Sequence, residues 1–454
     1  MNAFFKPDHP KKDGEKYALV LGGGGGKGSY HMGVWLAFSQ MKIGFDAVSG
    51  TSIGALFGLF YAQEAMEPMT DFVMNMAPDH IVNDMPELPV TVRDTVRSFK
   101  KIVDFVWQYK DVRMDVTPLR ENFRQMLDYD RLMASPIKFG CMTYNDTRKE
   151  GRAFTKDDFT PDNIEDILIA SASCYPAFPK VEMMGETYMD GSYADNVPIQ
   201  LVEQLEPDAA WTVVVDIHEP DQESSKDLDP SKMMLIQPLI NPGNSLDFRQ
   251  EHARELFRQG YLETMKYMDR FPGYIYTFTP GARALMQITE RYLDAQFEQN
   301  QIVLPSSDTL AKDALAGMLE YVPYDLENSF MKDYNYGLLV EALGLLGHVD
   351  PLSLYDYHHF LEEMVKGLSS LKATNTTDTD YKLVEIFSNL KRDELTIQLH
   401  RSLERNNGSY PQTIVRLRDL IPIPYTLALV WYYMEKLVQF HPEIGDRKES
   451  GENG

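Results

Sequence analysis

Two regimes of hydrophobic patterning divide this chain. Through about residue 280, short apolar runs trade places with helical stripes, and beyond Pro280 helical stripes follow one another with polar breaks. Tyr17-Ala-Leu-Val-Leu21 is an uninterrupted apolar run that stops at five consecutive glycines, Gly22 to Gly26, and predicts a buried strand. Ser29 to Met41 predicts a helix with Met32, Trp35, Leu36 and Met41 on one side. Phe45 to Ser49 predicts a second strand and Ala55 to Glu64 a second helix. Strand, turn and helix, twice over, imply a right-handed parallel α/β unit.

Farther along, Val92, Val96, Phe99, Val103 and Val106 recur at helical spacing, beside Arg93, Arg97, Lys100, Lys101 and Lys110. This basic stripe predicts a surface helix, with an interfacial lid as the sharper alternative. Pro118 opens a helix from Leu119 to Leu127, and Lys138 to Thr143, Glu186 to Met189 and Val213 to Ile217 predict strands. The last of these is continuous in valine and is expected at the centre of a sheet. Ser245 to Met268 predicts a long amphipathic helix and Tyr274 to Phe278 a late strand. Polar breaks at Lys372 to Asp380 and Arg405 to Ser409 separate later helices, and Tyr425 to Tyr433 is apolar on every side, as a core or interface helix is. The expected organisation is a polar tail over 1–15, an α/β domain over 16–280 and a helical region over 281–454.

The length, 454 residues, suits two or three domains. The 68 acidic and 44 basic side chains leave a net charge of −24. That excess disfavours nucleic acid as a partner and constitutive docking on anionic membranes. Two cysteines, Cys141 and Cys174, supply no disulfide framework and predict reduced thiols in a cytoplasmic protein. Met1 to Lys16 lacks the apolar core of a signal peptide. Leu420 to Met434 is uncharged but short, and carries Pro422 and Pro424, so no membrane span is expected.

The candidate chemistry begins at Gly50-Thr-Ser-Ile-Gly54, a G-x-S-x-G sequence between a strand and a helix. That context holds the serine on a strained turn where neighbours two positions away must lack side chains. The glycine run fails as a Walker loop, because Lys27 is followed by Gly28 and Leu21 stands six positions before it. It passes formally as a dinucleotide fingerprint, Gly23-x-Gly25-x-x-Gly28 with Asp46 some twenty positions on, but the acid would begin the second strand, and Ser49 stands at its end. A third use is an oxyanion hole, in which backbone N–H groups converge on an acyl oxygen. For the base, His218 and His252 are the triad candidates, and Asp190 in Met189-Asp-Gly-Ser-Tyr193 is an alternative; the plain reading of Asp-Gly is a turn.

Three blocks together resemble the patatin-like phospholipase family: Leu19 to Val34 with its glycines, Lys27, Gly28, His31 and Gly33; Gly50 to Gly54; and Ala170 to Pro179 followed by Tyr188-Met-Asp-Gly191 and Asn196-Val-Pro-Ile199. Weaker echoes lie at Thr117-Pro-Leu119 and Gly260-Tyr261. The resemblance implies a three-layer α/β/α fold with a mainly parallel central sheet, here carrying a C-terminal helical extension. It implies a nucleophile at Ser52, its base at Asp190 with no histidine, and an oxyanion hole of Gly24, Gly25 and Gly26. Gly23, Lys27, Gly28, Gly50, Gly54 and Gly191 would support these motifs. Lys27 stands where the family usually has arginine, and Ser192 where it mostly has glycine or alanine. The implied activity is hydrolysis of acyl-lipid esters, with no cofactor and no metal, a lipid ester as substrate and transient contact with a membrane surface. The rival readings are an idle lipid-binding scaffold and a dinucleotide-dependent oxidoreductase. Head group, acyl length and oligomeric state are not legible.

Overall fold

The computed structural model describes residues 6–7, 11–83, 114–218, 228–305, 309–319, 321, 334, 336–374 and 391–440. The basic stripe from Val92 to Lys110 lies outside the described residues. The chain divides into two compact units, Met1–Met265 and Lys266–Gly454.

The strands of the first unit are β1 (Lys16–Leu21), β2 (Ala47–Thr51), β3 (Lys138–Asn145), β4 (Glu150–Thr155), β5 (Val181–Met183), β6 (Glu186–Asp190), β7 (Ala209–Val215) and β8 (Met233–Ile236). They form one sheet in the order β5-β6-β3-β2-β1-β7-β8, with β4 also on β3. The pairs β1–β2, β1–β7, β2–β3 and β7–β8 are parallel. The pairs β3–β4, β3–β6 and β5–β6 are antiparallel, so the sheet is mixed, parallel from β3 to the β8 edge and antiparallel at the other end. The valine-rich β7 is interior, between β1 and β8, as its continuous apolar run predicts.

Helices α1 (Ser29–Gln40), α2 (Ile53–Ala62), α3 (Met66–Met74), α4 (Thr117–Met126), α5 (Tyr129–Ala134), α6 (Ile164–Ser171), α7 (Ile199–Leu205) and α8 (Gln250–Tyr267) flank this sheet. Strand alternation sorts the two faces. Ala18, Val20, Ala47 and Val214 pack with Ile199 and Val202 of α7. Val48 points the other way, toward Gly58 of α2. The expected second strand is displaced: β2 begins two residues later and reaches Thr51, so α2 starts immediately after Ser52. On α1 the buried face is carried by Tyr30, Met32, Val34, Ala37 and Phe38, whereas Trp35, Leu36 and Met41 are only half-buried. The expected start of the long helix at Ser245 is also corrected: residues 245–249 form a loop before α8.

In the second unit β9 (Thr277–Phe278) pairs in parallel with a two-residue strand, Leu354–Tyr355, amid helices. The helices are α9 (Arg283–Gln299), α10 (Leu310–Leu319), α11 (Gly337–Leu346), α12 (Tyr357–Thr374), α13 (Arg392–Arg405), α14 (Gln412–Val415) and α15 (Pro422–Phe440). The strand expected from Tyr274 shrinks to its last two residues because side chains take over its backbone. Glu341 accepts the N–H groups of Tyr274, Ile275 and Tyr276, and the Lys266 ammonium donates to the carbonyls of Tyr274 and Ile275. Lys372 to Thr374 end α12, and the rest of that polar stretch lies outside the described residues. Pro422 and Pro424 sit in the first turn of α15, where a missing N–H costs nothing, and Tyr425 to Tyr433 is buried on all sides. No described helix is long and apolar enough to cross a membrane.

Candidate active site

Ser52 joins β2 to α2 with φ 55° and ψ −127°, a conformation that non-glycine residues hold only when their surroundings enforce it. The enforcement is visible on either side. A Cβ on Gly50 would come 2.3 Å from the Gly54 carbonyl oxygen, and one on Gly54 would come 2.1 Å from that of Leu21. The Ser52 N–H donates to Ser171 Oγ at 3.0 Å, and Ser171 Oγ donates to the Met142 carbonyl at 2.7 Å, which ties the turn to β3.

Asp190 reaches the same point from another direction. Thr143 of β3 pairs with Arg152 of β4 on one edge and Asp190 of β6 on the other, while Met142 pairs with Ala153 and with Thr51 of β2. Strands β2 and β6 therefore share one edge of β3 and run toward each other. Gly191 passes so close to β3 that a Cβ there would lie 2.3 Å from the Met142 carbonyl oxygen. Ser52 Oγ donates to Asp190 Oδ2 at 2.7 Å, and the Ser192 N–H donates to Oδ1 at 2.9 Å. Asp190 is 1 % exposed. Burial pushes its carboxyl above the ordinary aspartate value, against the opposing pull of those hydrogen bonds.

The glycine loop lies beside the serine. A Cβ on Gly23 would approach Asn196 Oδ1 to 2.6 Å, one on Gly28 would approach Ile53 Cγ1 to 2.2 Å, and Gly25 has a left-handed φ of 58°. The Gly22 N–H donates to the Val215 carbonyl and the Gly23 N–H to that of Asn196. The Gly26 N–H is taken by the Ser245 carbonyl at 2.6 Å, which narrows the expected three donors to two. Gly24 and Gly25 have N–H groups with no acceptor among the described residues, and both line the cavity that holds Ser52. Lys27 is buried in the turn. His31 is buried too, with Nε2 2.8 Å from the Gly22 carbonyl; burial lowers its pKa to about 4, so the ring is neutral and Nε2–H is the donor.

The cavity has an empty volume of about 740 Å³ and is lined by Ser52, Asp190, Ser192, Asn196, Cys174 and His218 together with apolar Ile53, Leu56, Ile81, Leu119, Phe178 and Phe248. A second, almost wholly apolar cavity of about 460 Å³ shares Gly25, Ile53, Leu56, Ile81, Leu119 and Phe248 with it and ends among Phe60, Phe123 and Met126. His218 reaches the first cavity, but its Nδ1 lies 3.2 Å from Asp216 Oδ1 and 2.7 Å from Asn196 Nδ2, while the Ser52 hydroxyl faces Asp190. His252 lines neither cavity; its ring sits against Gly243. Asp46 immediately precedes β2, paired with Lys11 and Lys16 at the end of the sheet away from the glycine loop, opposite to where a ribose-binding acid would stand. Sequence reading missed Ser171, Ser173, whose carbonyl accepts the Asp190 N–H at 3.0 Å, and Thr51, whose hydroxyl donates to the Asp195 carbonyl at 2.8 Å. The two serines lie in the quoted Ala170 to Pro179 block, but nothing in the pattern distinguishes a turn serine from a clamp.

Residues 19–202 match the family model of patatin-like phospholipase, which bears out the resemblance read from the three blocks. The chain is 28 % identical over 200 residues to patatin-like phospholipase domain-containing protein M110.7 of Caenorhabditis elegans, covering 42 % of this chain and 16 % of that protein. It is 24 % identical over 336 residues to lysophospholipase NTE1 of Saccharomyces cerevisiae, covering 70 % of this chain and 18 % of that protein. The chain thus spans less than a fifth of the length of either relative. Among solved structures, VipD from Legionella pneumophila aligns over 93 % of this chain and 91 % of its own, with 14 % identity and a TM-score of 0.34.

Proposed function

We propose, from the patatin-like match over residues 19–202, that this chain hydrolyses acyl esters of phospholipids, with single-acyl phospholipids as the first substrates to consider. The observation that carries the reading is the 2.7 Å hydrogen bond from Ser52 Oγ to a buried Asp190, at the floor of a largely apolar cavity.

In this reading the ionised Asp190 takes the Ser52 proton as Oγ bonds to the ester carbonyl carbon. The carbonyl oxygen becomes an oxyanion that accepts hydrogen bonds from the Gly24 and Gly25 N–H groups, next to the N-terminus of α2. Collapse of the tetrahedral intermediate breaks the ester C–O bond, and the leaving alcohol takes the proton held by Asp190. Water then attacks the acyl-serine, gives a proton to Asp190, and the second collapse releases the fatty acid and returns the proton to Ser52. The acyl chain fits the apolar cavity behind Leu56 and Leu119, and the head group faces the polar side at Asn196 and His218. Such a substrate brings the protein to a lipid surface only transiently, in keeping with its net charge of −24.

The test is fatty-acid release from lysophospholipid and diacylphospholipid micelles, followed by mass spectrometry for wild type and Ser52→Ala. Release by wild type that disappears in the variant supports the reading. Equal release by both proteins, or none from any acyl lipid, overturns it.

A further inference from the structure

In the second unit, α13 carries His400 and Glu404 one helical turn apart, and α15 brings Trp431 and Glu435, also one turn apart, against them. His400 is fully buried. Its Nε2 lies 3.2 Å from Glu435 Oε2 and its Nδ1 3.8 Å from Glu404 Oε2, yet neither ring nitrogen has the alignment of a hydrogen bond with any of the described residues. A buried imidazole that faces two carboxylates without aligned hydrogen bonds is poised for a partner that both nitrogen and oxygen atoms can ligate. Lys372 occupies the other oxygens, 2.8 Å from Glu404 Oε1 and 3.7 Å from Glu435 Oε1. The Trp431 indole N–H donates to Glu435 Oε1 at 2.7 Å, and the indole stacks on the His400 ring at 4.0 Å and 19°.

We propose that His400, Glu404 and Glu435 form a binding site for a divalent transition cation of the zinc class. One ligand atom from each lies within 4.8 Å of the others. Bonds of about 2.0–2.2 Å to imidazole nitrogen and carboxylate oxygen suit atoms spaced this way after small side-chain rotations, with a fourth position left for water. The carboxylates divide their oxygens: Oε1 atoms go to Lys372 and the indole, and Oε2 atoms face the imidazole. Two carboxylates against one ammonium leave a single negative charge for the cation to meet. The indole stacking and hydrogen bond would hold ring and carboxylate in place, as outer partners of metal ligands do. Glu404 is the half-exposed member and provides access from solvent.

The test is titration of chelator-treated, tag-free full-length protein with Zn²⁺ by calorimetry, and with Co²⁺ by visible absorption. One equivalent is expected, with ligand-field bands for cobalt and at least a tenfold weaker affinity in His400→Gln, Glu435→Gln and Glu404→Ala. Should the His400 and Glu435 variants fail to fold by circular dichroism, the half-exposed Glu404→Ala carries the comparison. Absence of stoichiometric binding by wild type overturns the site and leaves an internal ion network. Binding of equal strength in the folded variants overturns it as well, by placing the metal elsewhere.

Discussion

Ser52 and Asp190, 138 positions apart, meet because the strands that deliver them run toward each other along one edge of β3, Thr51 pairing with Met142 and Asp190 with Thr143. Their hydrogen bond is thus a property of strand register. A slip of one residue in either strand would turn one of its side chains to the opposite face of the sheet.

Removing either member should therefore stop turnover without unfolding the sheet. Ser52→Ala and Asp190→Asn are each expected to lower kcat/KM for p-nitrophenyl butyrate by at least ~10³-fold. Because burial raises the Asp190 pKa, the acid limb of the wild-type rate profile should lie above the ordinary aspartate range. The same raised pKa means that the neutral carboxyl is favoured in the fold. Its stabilising contribution is complete below the unfolded pKa and is lost as pH rises through the folded one. Asp190→Asn should accordingly melt no lower than wild type at neutral pH. Thermal melts at pH 4 and 7.5 check this; a large loss of stability at pH 7.5 would contradict it.

Burial makes His31 costly to charge, although the imidazolium would keep its Nε2–H bond to the Gly22 carbonyl. Its pKa falls from 6.5 to about 4 on folding, so its contribution is complete above the unfolded value and disappears as pH drops toward 4. At 1.36 kcal/mol per unit this amounts to about 3 kcal/mol. Urea melts at pH 7 and 4.5 should show a smaller acid loss for His31→Gln, which can still donate to Gly22, than for wild type. Identical losses would mean that other groups govern acid unfolding.

Helices α1 and α8 cross at a reciprocal pair of glycines. A Cβ on Gly33 would lie 2.1 Å from the Phe257 carbonyl oxygen, and one on Gly260 would lie 2.2 Å from that of Tyr30. Backbone on both sides cannot yield as a side-chain tip would. Gly260→Ala is expected to destabilise by about 1–3 kcal/mol, the usual cost of overpacking, despite alanine's better helix propensity. A melting temperature equal to wild type would rule out so tight a crossing.

Leu119 lines both the Ser52 cavity and its apolar extension. Filling the junction with Leu119→Trp should shorten acyl preference: the ratio of kcat/KM for twelve-carbon over four-carbon p-nitrophenyl esters should fall at least tenfold. Hydrolysis of the four-carbon ester serves as the control for folding, and an unchanged ratio would show that the acyl chain lies elsewhere.

Much of this was legible in the chain itself. Local patterns sufficed wherever the cause is local: the apolar run of β1, the Gly50 to Gly54 turn and the valines of β7 all dictate their conformation through neighbouring residues. The motif blocks pointed to Ser52 and Asp190, but their approach depends on a shared edge of β3, and strand pairing at long range leaves no periodic trace. Likewise, five glycines announce a loop free of side chains, whereas the loss of Gly26 as a donor depends on the Ser245 carbonyl of a distant loop. Tyr274 to Tyr276 read as strand because their side chains are apolar, and buried Glu341 and Lys266 captured their backbone instead. His400 and Glu404 drew no notice in the sequence, and only Glu435, brought in by α15, makes them a candidate ligand set. Composition and spacing determine what each segment can form. Only tertiary packing decides which polar groups find one another, because each hydrogen bond depends on a position to within a few tenths of an ångström.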